Sequence, residues 1–392
     1  MDVEALSASP IGVLVPIAGF DGRHGTEFAH SAFIPHPLPE RIELTTATWM
    51  AINAATKSLG MLDQVGARLP DPARFREPFL RREAISTSAL EGTHAAFTDV
   101  LEAEALDEPG TPEIREILNY VEAARYAILE VQDGRAITWD LLCAVHRLLV
   151  AGTRADGPDA GRQRTNQVLI GPEHCTVDEA RFVPAPPDDR LTSGVDALLS
   201  WITAEHRDLP AVAQVAIAHY QFETLHPFND GNGRIGRLLI LLHLMQLREV
   251  TQPLLEVSGW LERRRRTYQD GLLDISTTGS FDEWVRFMAT AIDVQATQTR
   301  ERVDALLGQH DQMRQHLTAE RMSPTGMRLF EDLLATPYVT VAAEARRLEV
   351  SFQAANQAVK RLVSLGVLQQ VTERGNYDRL FVAPALLELI TP

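Results

Sequence analysis

Cysteine is nearly absent from this chain, whose 392 residues include only Cys143 and Cys175. Two thiols do not make a disulfide scaffold, and they fit a reducing compartment. Long apolar runs are missing too. Leu239–Met245 with its flanks is the most apolar stretch, and His243 and Gln246 interrupt it well short of the ~20 residues that a membrane span requires. The opening MDVEALSASP is acidic and lacks a basic or apolar leader, so no export signal and a cytoplasmic location are expected. Positive charge is in deficit. The 37 Lys and Arg against 53 Asp and Glu give a formal net charge of −16, which argues against a broad surface that tracks nucleic-acid phosphates. There is no internal repeat and no low-complexity tract. What is present is 45% hydrophobic and 23% charged residues, enough for two or three domains with real cores.

Along the sequence the pattern is mostly helical. The first 41 residues read as loop, with the proline-rich FIPHPLPERI. Periodicity then begins, with Leu44, Trp49, Ile52, Ala55 and Leu59 on one side of a helix. Pro70, Pro72 and Pro78 punctuate a connection, and FLRREAISTSALEGTHAAFTDVLEAEAL reads as helix, turn and helix. TPEIREILNYVEAARYAILEV and TWDLLCAVHRLLVAG each open on a threonine cap. The one β signal in the first 300 residues is a hairpin of Val168–Ile170 with Ala180–Val183. Helices resume from Val195 to Ile292, and a long polar helix follows. After Pro324 the order is helix, helix and two strands, which resembles a winged helix-turn-helix: Ser351 caps its second helix, Ala354–Arg361 is the recognition segment, and the wing centres on Gly375 and Asn376. From Val341 onward six basic residues face five acidic ones, so this tail escapes the acidity of the rest.

The stretch LHPFNDGNGRIGRLL, Leu225–Leu239, concentrates chemistry. Gly231, Gly233 and Gly236 satisfy G-x-G-x-x-G, and Glu256 falls about 20 residues later, as a dinucleotide fingerprint requires. That fingerprint must follow a strand, whereas Val212, Val215, Ala216, His219 and Phe222 keep helical spacing. The Lys-[Ser/Thr] pair of a P-loop is missing, and His226 with Asp230 lacks a third zinc ligand. What remains is a helix, a tight loop and a second helix. The amides of Gly231, Asn232 and Gly233 at a helix N-terminus suit a diphosphate. Arg234 and Arg237, three apart, add fork-shaped donors on one face. Asp230 is a hard oxygen ligand for Mg²⁺, His226 is a base for an incoming hydroxyl near neutral pH, and Phe228 anchors the loop inward. This is a site for transfer from a nucleoside triphosphate. Nine specified places in twelve, at roughly 1 in 20 each, make a chance match negligible.

These residues resemble the Fic signature H-P-F-x-[D/E]-G-N-G-R-x-x-R without departure. The resemblance implies a mainly α fold: a Fic-type helical core whose β-hairpin flap, at residues 164–184, aligns a target segment by strand addition. It also implies an adenylyltransferase that moves AMP from ATP to a Tyr, Thr or Ser hydroxyl of a target protein, itself included, and releases pyrophosphate. His226 is then the base and Asp230 holds Mg²⁺. Residues 231–233 hold the α and β phosphates, Arg234 and Arg237 reach the β and γ phosphates, and Tyr268 lies near the adenine. The domains implied are a helical N-terminal domain at 1–110, the core at 111–292, a helical linker at 293–320 and a winged helix at 321–392.

Upstream, Thr87, Glu91 and Gly92 in STSALEGT resemble the family's inhibitory pattern [S/T]-x-x-x-E-[G/N]. The resemblance implies that Glu91 pairs with Arg237 and holds the enzyme off. The bland reading is a helix end with Glu91 in solvent and Gly92 as its cap. Arg263–Arg266 reads as a solvated face, and His219 and His243 as satisfied core histidines. Two other functions stay open: AMP removal or transfer of another phosphate-containing group on the same core, and DNA binding by the winged helix. The winged helix also serves in other proteins as a protein-interaction or homodimer module.

Overall fold

The structure is a computed structural model that describes residues 1–22, 24–107, 110–372 and 379–391. Its first elements are α1 (Val3–Ser7) and an antiparallel hairpin of β1 (Gly12–Asp21) with β2 (Thr26–Pro35), in unbroken register from Gly12 opposite Pro35 to Asp21 opposite Thr26. The expected loop before Arg41 is therefore corrected to a ten-residue-per-strand hairpin. The prolines misled because Pro35 only ends β2. Ala32 and Phe33 turn into the core, where Phe33 meets Phe182 at 5.7 Å between ring centroids and its N–H donates to Val183 O at 2.8 Å.

Helices follow: α2 (Thr46–Gly66), α3 (Pro72–Leu90), α4 (Phe97–Leu106), α5 (Pro112–Gln132), α6 (Trp139–Val150), α7 (Asp189–Thr203), α8 (Ala211–Leu225), α9 (Asn232–Gln246), α10 (Ser258–Glu262), α11 (Arg265–Thr278) and α12 (Asp282–Ala319). Asp71, Thr138 and Asp188 cap α3, α6 and α7 with their side chains, satisfying N–H groups that a helix start leaves without a partner. On α2, Ile52, Ala55 and Leu59 are buried as expected, but Trp49 is 42% exposed, and Thr48 takes the inward place. Pro78 is not in a connection. It lies inside α3, where it forgoes one backbone hydrogen bond while buried Phe75 and Phe79 hold the helix to its neighbours.

The expected hairpin at 168–183 is reduced to a single antiparallel bridge, Ile170 with Phe182. Each of these residues donates its N–H to the other's carbonyl at 2.9 Å, and no strand extends beyond them. The segment gains its order elsewhere: Val177, Ala180 and Val183 pack with Ala32, and Phe182 packs with Leu6 and Phe33.

The protein divides into two compact units, one of residues 1–59, 122–250 and 260–294, the other of residues 60–121, 251–259 and 295–392. Both are discontinuous, with boundaries inside α2, α5, α10 and α12. In the second unit, α12 is not polar throughout, since Ala296, Val303, Leu306 and Leu317 form a buried stripe at helical spacing. Buried Arg82 donates to Glu256 at 2.8 Å, and Arg302 reaches the same carboxylate at 2.7 Å. Glu256 therefore serves an ion-pair network and is no ribose ligand, as the helical context had argued.

The second unit ends in α13 (Pro324–Asp332), β3 (Tyr338–Thr340), α14 (Val341–Arg347), α15 (Phe352–Ser364), β4 (Gln369–Thr372), β5 (Leu380–Val382) and α16 (Pro384–Ile390). The sheet order β3-β5-β4, all antiparallel, with α14 and α15 packed together, is the winged-helix arrangement. Ser351 Oγ accepts from Ala354 N at 3.2 Å and caps α15 as expected. Gly375 and Asn376, the expected wing tip, lie outside the described residues. Among the described residues no helix is long and apolar enough to cross a membrane.

Candidate active site

The loop between α8 and α9 is built from two left-handed residues. His226, at the C-cap of α8, has φ 52°, and Gly231, at the N-cap of α9, has φ 78°. A Cβ on Gly231 would also stand 2.9 Å from Leu149 Cδ2, so glycine is required there on both counts. At His226 the left-handed conformation costs about 1 kcal/mol, and three hydrogen bonds to the backbone hold it. Its N–H donates to Phe222 O at 3.0 Å, its carbonyl accepts from Arg164 Nε at 2.8 Å, and the next carbonyl, of Pro227, accepts from Arg164 N at 2.9 Å.

Between these ends the loop closes on itself. Asn232 accepts from Phe228 N and donates to Phe228 O, both at 2.8 Å, so its side chain mimics a backbone pair and holds the turn. Phe228 is fully buried, as expected of the anchor. Its ring is stacked between Trp139, 5.1 Å away at 11°, and His146, 4.1 Å away at 5°. His146 Nδ1 accepts from Gly161 N at 2.8 Å, which leaves Nε2 as the protonated nitrogen that donates to Asp230 O at 3.1 Å. Burial pushes this imidazole down to about 4, so it stays neutral.

Of the side chains singled out in the sequence, Asp230 and Arg234 touch here. His226 is half-buried, and its Nδ1 lies 3.2 Å from Glu223 O. A carbonyl only accepts, so Nδ1 carries the proton and Nε2 the lone pair that a base needs. The Asp230 carboxylate accepts from Gly231 N at 2.5 Å and from Arg234 Nη2 at 3.3 Å. It thus occupies the first loop amide that sequence spacing assigned to phosphate. Arg234 and Arg237 are 4% and 2% exposed, so both guanidinia are held within the protein rather than on its surface.

Tyr268 is buried, and its hydroxyl donates to His219 Nε2 at 2.8 Å, while His219 Nδ1 donates to Gly236 O at 2.9 Å. Through that relay Tyr268 supports the first turns of α9. His219 is accordingly a satisfied core histidine. His243 is not: it is buried against Trp201, and neither ring nitrogen has a hydrogen-bond partner. Arg263–Arg266 are exposed, as a solvated face would be, with Arg264 over the Trp260 ring at 4.1 Å.

Thr87 is buried within α3, and Glu91 is its exposed C-cap. Gly92 follows at φ 88°, and Thr93 N donates back to Ser88 O at 3.0 Å, which closes a Schellman-type end. The local geometry is that of an ordinary helix terminus. Sequence reading missed His146, Trp139 and Arg164, whose contacts with the loop at 226–230 span 62 to 89 residues.

A histidine thus stands at the entrance of a glycine-bearing loop in a helical unit, with two buried arginines in the helix beyond. Residues 49–129 match the Fic/DOC family N-terminal domain and residues 136–244 the Fic/DOC family domain. Over these two segments the protein is similar to Fic family proteins. It is 32% identical over 154 residues to protein adenylyltransferase fic-1 of Caenorhabditis elegans, a match covering 39% of this sequence and 27% of that protein. Identity to protein adenylyltransferase Fic of Nematostella vectensis is 32% over 184 residues, 45% of this sequence and 40% of that one. The match thus spans less than half the length of these curated relatives. A crystal structure of a Fic family protein from Desulfovibrio desulfuricans shares the fold with a TM-score of 0.54 at 21% identity, covering 88% of this protein and 98% of that one.

Proposed function

We propose that the protein transfers AMP from ATP to a Tyr, Thr or Ser hydroxyl of a target protein. The observation that carries this reading is His226, whose Nδ1 donates to Glu223 O and so leaves Nε2 as the basic nitrogen, in the loop that leads into the helix bearing buried Arg234 and Arg237. In the reaction the target hydroxyl gives its proton to His226 Nε2 as its oxygen bonds to the α-phosphorus. The α-phosphorus bond to the β-bridging oxygen breaks, and pyrophosphate leaves. Arg234 and Arg237 neutralise charge on the β and γ phosphates, and the 231–233 amides receive phosphate oxygens once Asp230 releases Gly231 N.

The residues present fit Mg²⁺. Asp230 offers one hard carboxylate at the loop, and Mg²⁺ takes one or two carboxylates together with water and substrate phosphates. Among the described residues no group of three or more His, Cys, Asp or Glu side chains is placed to hold a metal ion. When bound, the ion would be held by Asp230 and would neutralise charge on the nucleotide phosphates. Tyr268 acts in this scheme through His219 and α9. Glu91 restrains the reaction, and the winged helix receives a separate partner.

The test is label transfer from α-labelled ATP with Mg²⁺ and cell lysate, in a Glu91→Gly background. His226→Ala should abolish labelling while ATP binding stays within a few fold, because phosphates are held by amides and arginines. A loss of binding as large as the loss of rate would show that His226 is structural.

A further inference from the structure

Arg164 lies in no motif, yet it is almost fully buried, the hydrogen bonds of its guanidinium go to backbone carbonyls, and Asp188 is near enough to act on its charge. Nε donates to His226 O at 2.8 Å, Nη1 donates to Asn166 O at 3.0 Å, and Nη2 donates to Ala185 O and, at 3.5 Å, to Leu225 O. Its own backbone N–H donates to Pro227 O at 2.9 Å. Two of the guanidinium's acceptors are the left-handed base residue and its predecessor. The other two lie at either end of the 166–185 segment. Burial lowers the guanidinium to about 10, so it stays charged at neutral pH with carbonyl oxygens as its solvation. A single rigid fork therefore fixes the His226 backbone relative to both ends of one surface segment, something a flexible ammonium with three rotatable donors does not do.

We infer that Arg164 is a positioning residue for protein-directed transfer, setting His226 in register with the 166–185 segment along which a target polypeptide lies. The inference rests on the AMP-transfer reading above. It separates two nucleophiles. A hydroxyl on a target polypeptide must be aligned with the base through that segment, whereas water is small and follows the base wherever it sits. With a protein hydroxyl, the α-phosphorus gains the hydroxyl oxygen and loses pyrophosphate. With water, the same exchange releases free AMP and pyrophosphate. In both, the proton goes to His226 Nε2.

The experiment uses the full-length protein with Glu91→Gly as parent, together with α-labelled ATP and Mg²⁺. Label in protein and free AMP are measured in the same tube for the parent, Arg164→Lys and Arg164→Gln. Because both products come from the same folded molecules, their ratio is independent of how much of a variant folds. Arg164→Lys should lower the ratio of protein label to AMP about tenfold, a difference in barrier of about 1.4 kcal/mol, with KM for ATP in the AMP-forming reaction unchanged. Arg164→Gln should lower the ratio further. A parent that makes both products, with the ratio unchanged in both variants, overturns the assignment alone. A parent that makes neither overturns the AMP-transfer reading and this assignment with it.

Discussion

His146 and Phe228 lie ring on ring, 4.1 Å apart and within 5° of parallel, and the same imidazole donates to Asp230 O two residues beyond the phenyl anchor. One side chain from α6 thereby fixes both the hydrophobic floor of the loop and the backbone of the proposed metal-binding carboxylate. The two contributions are separable. His146→Phe keeps a ring for stacking and removes both hydrogen bonds, leaving Gly161 N–H and Asp230 O to find other partners. It should cost about 1–3 kcal/mol in urea unfolding. Phe228→Ala removes the anchor and opens a cavity, for which about 3–5 kcal/mol is expected. If His146→Phe unfolded at the wild-type midpoint, those two bonds would add nothing to the stability of the loop.

A second expectation concerns acid. Burial pushes His219 and His243 down to about 3, with Arg237 adding to the effect at His219 and His206 at His243. The unfolded protein takes up these protons near pH 6.5 and the folded protein does not. Stability from keeping both rings neutral is therefore fully present above pH 6.5 and is lost as pH falls toward about 3. Between pH 7 and pH 5 each ring should cost about 2 kcal/mol. His243, with two buried nitrogens that lack partners, offers the cleaner test. His243→Leu should be at least as stable as wild type at pH 7 and should lose about 2 kcal/mol less on going to pH 5. Parallel pH dependences for the two proteins would show that His243 is not held neutral.

The site was legible where chemistry is local. His226, Asp230, the glycines and both arginines lie within one helix-loop-helix, so their spacing alone stated the arrangement, and the buried Phe228 followed from it. Arg164 and His146 were illegible because their bonds go to the backbone. A guanidinium that binds only carbonyls, and an imidazole that binds one amide and one carbonyl, demand no partner side group and leave no paired residue to notice. The β1–β2 hairpin was hidden for a related reason. Pro16 within β1 and Pro35 at the end of β2 read as breaks, while the burial that favours the strands comes from Ala180, Phe182 and Val183, some 150 residues away. The flap failed in the opposite direction: Val168–Ile170 and Ala180–Val183 have strand composition, but packing against Ala32 and Phe33 orders the segment with one bridge and no ladder. His243 shows that apolar helical spacing places a histidine in the core without providing its hydrogen bonds.

Glu91 gives the sharpest division between a helix end and a control element. As a C-cap followed by left-handed Gly92, it has the geometry of any terminated helix, and an exposed carboxylate there interacts unfavourably with the helix dipole. On that reading Glu91→Gly changes stability by less than about 1 kcal/mol and leaves the reaction alone. If the carboxylate instead competes with the γ-phosphate for Arg237, its removal releases a charge-assisted interaction of about 1.5–3 kcal/mol, and AMP transfer should rise at least roughly tenfold. Adding Arg237→Ala to Glu91→Gly should then cancel much of the gain, since both side chains act on one phosphate position. Labelling from α-labelled ATP across several ATP concentrations distinguishes the two. Equal labelling in wild type and Glu91→Gly makes STSALEGT only a helix end, and loss of an AMP-removing activity without gain in transfer makes Glu91 part of a hydrolytic enzyme.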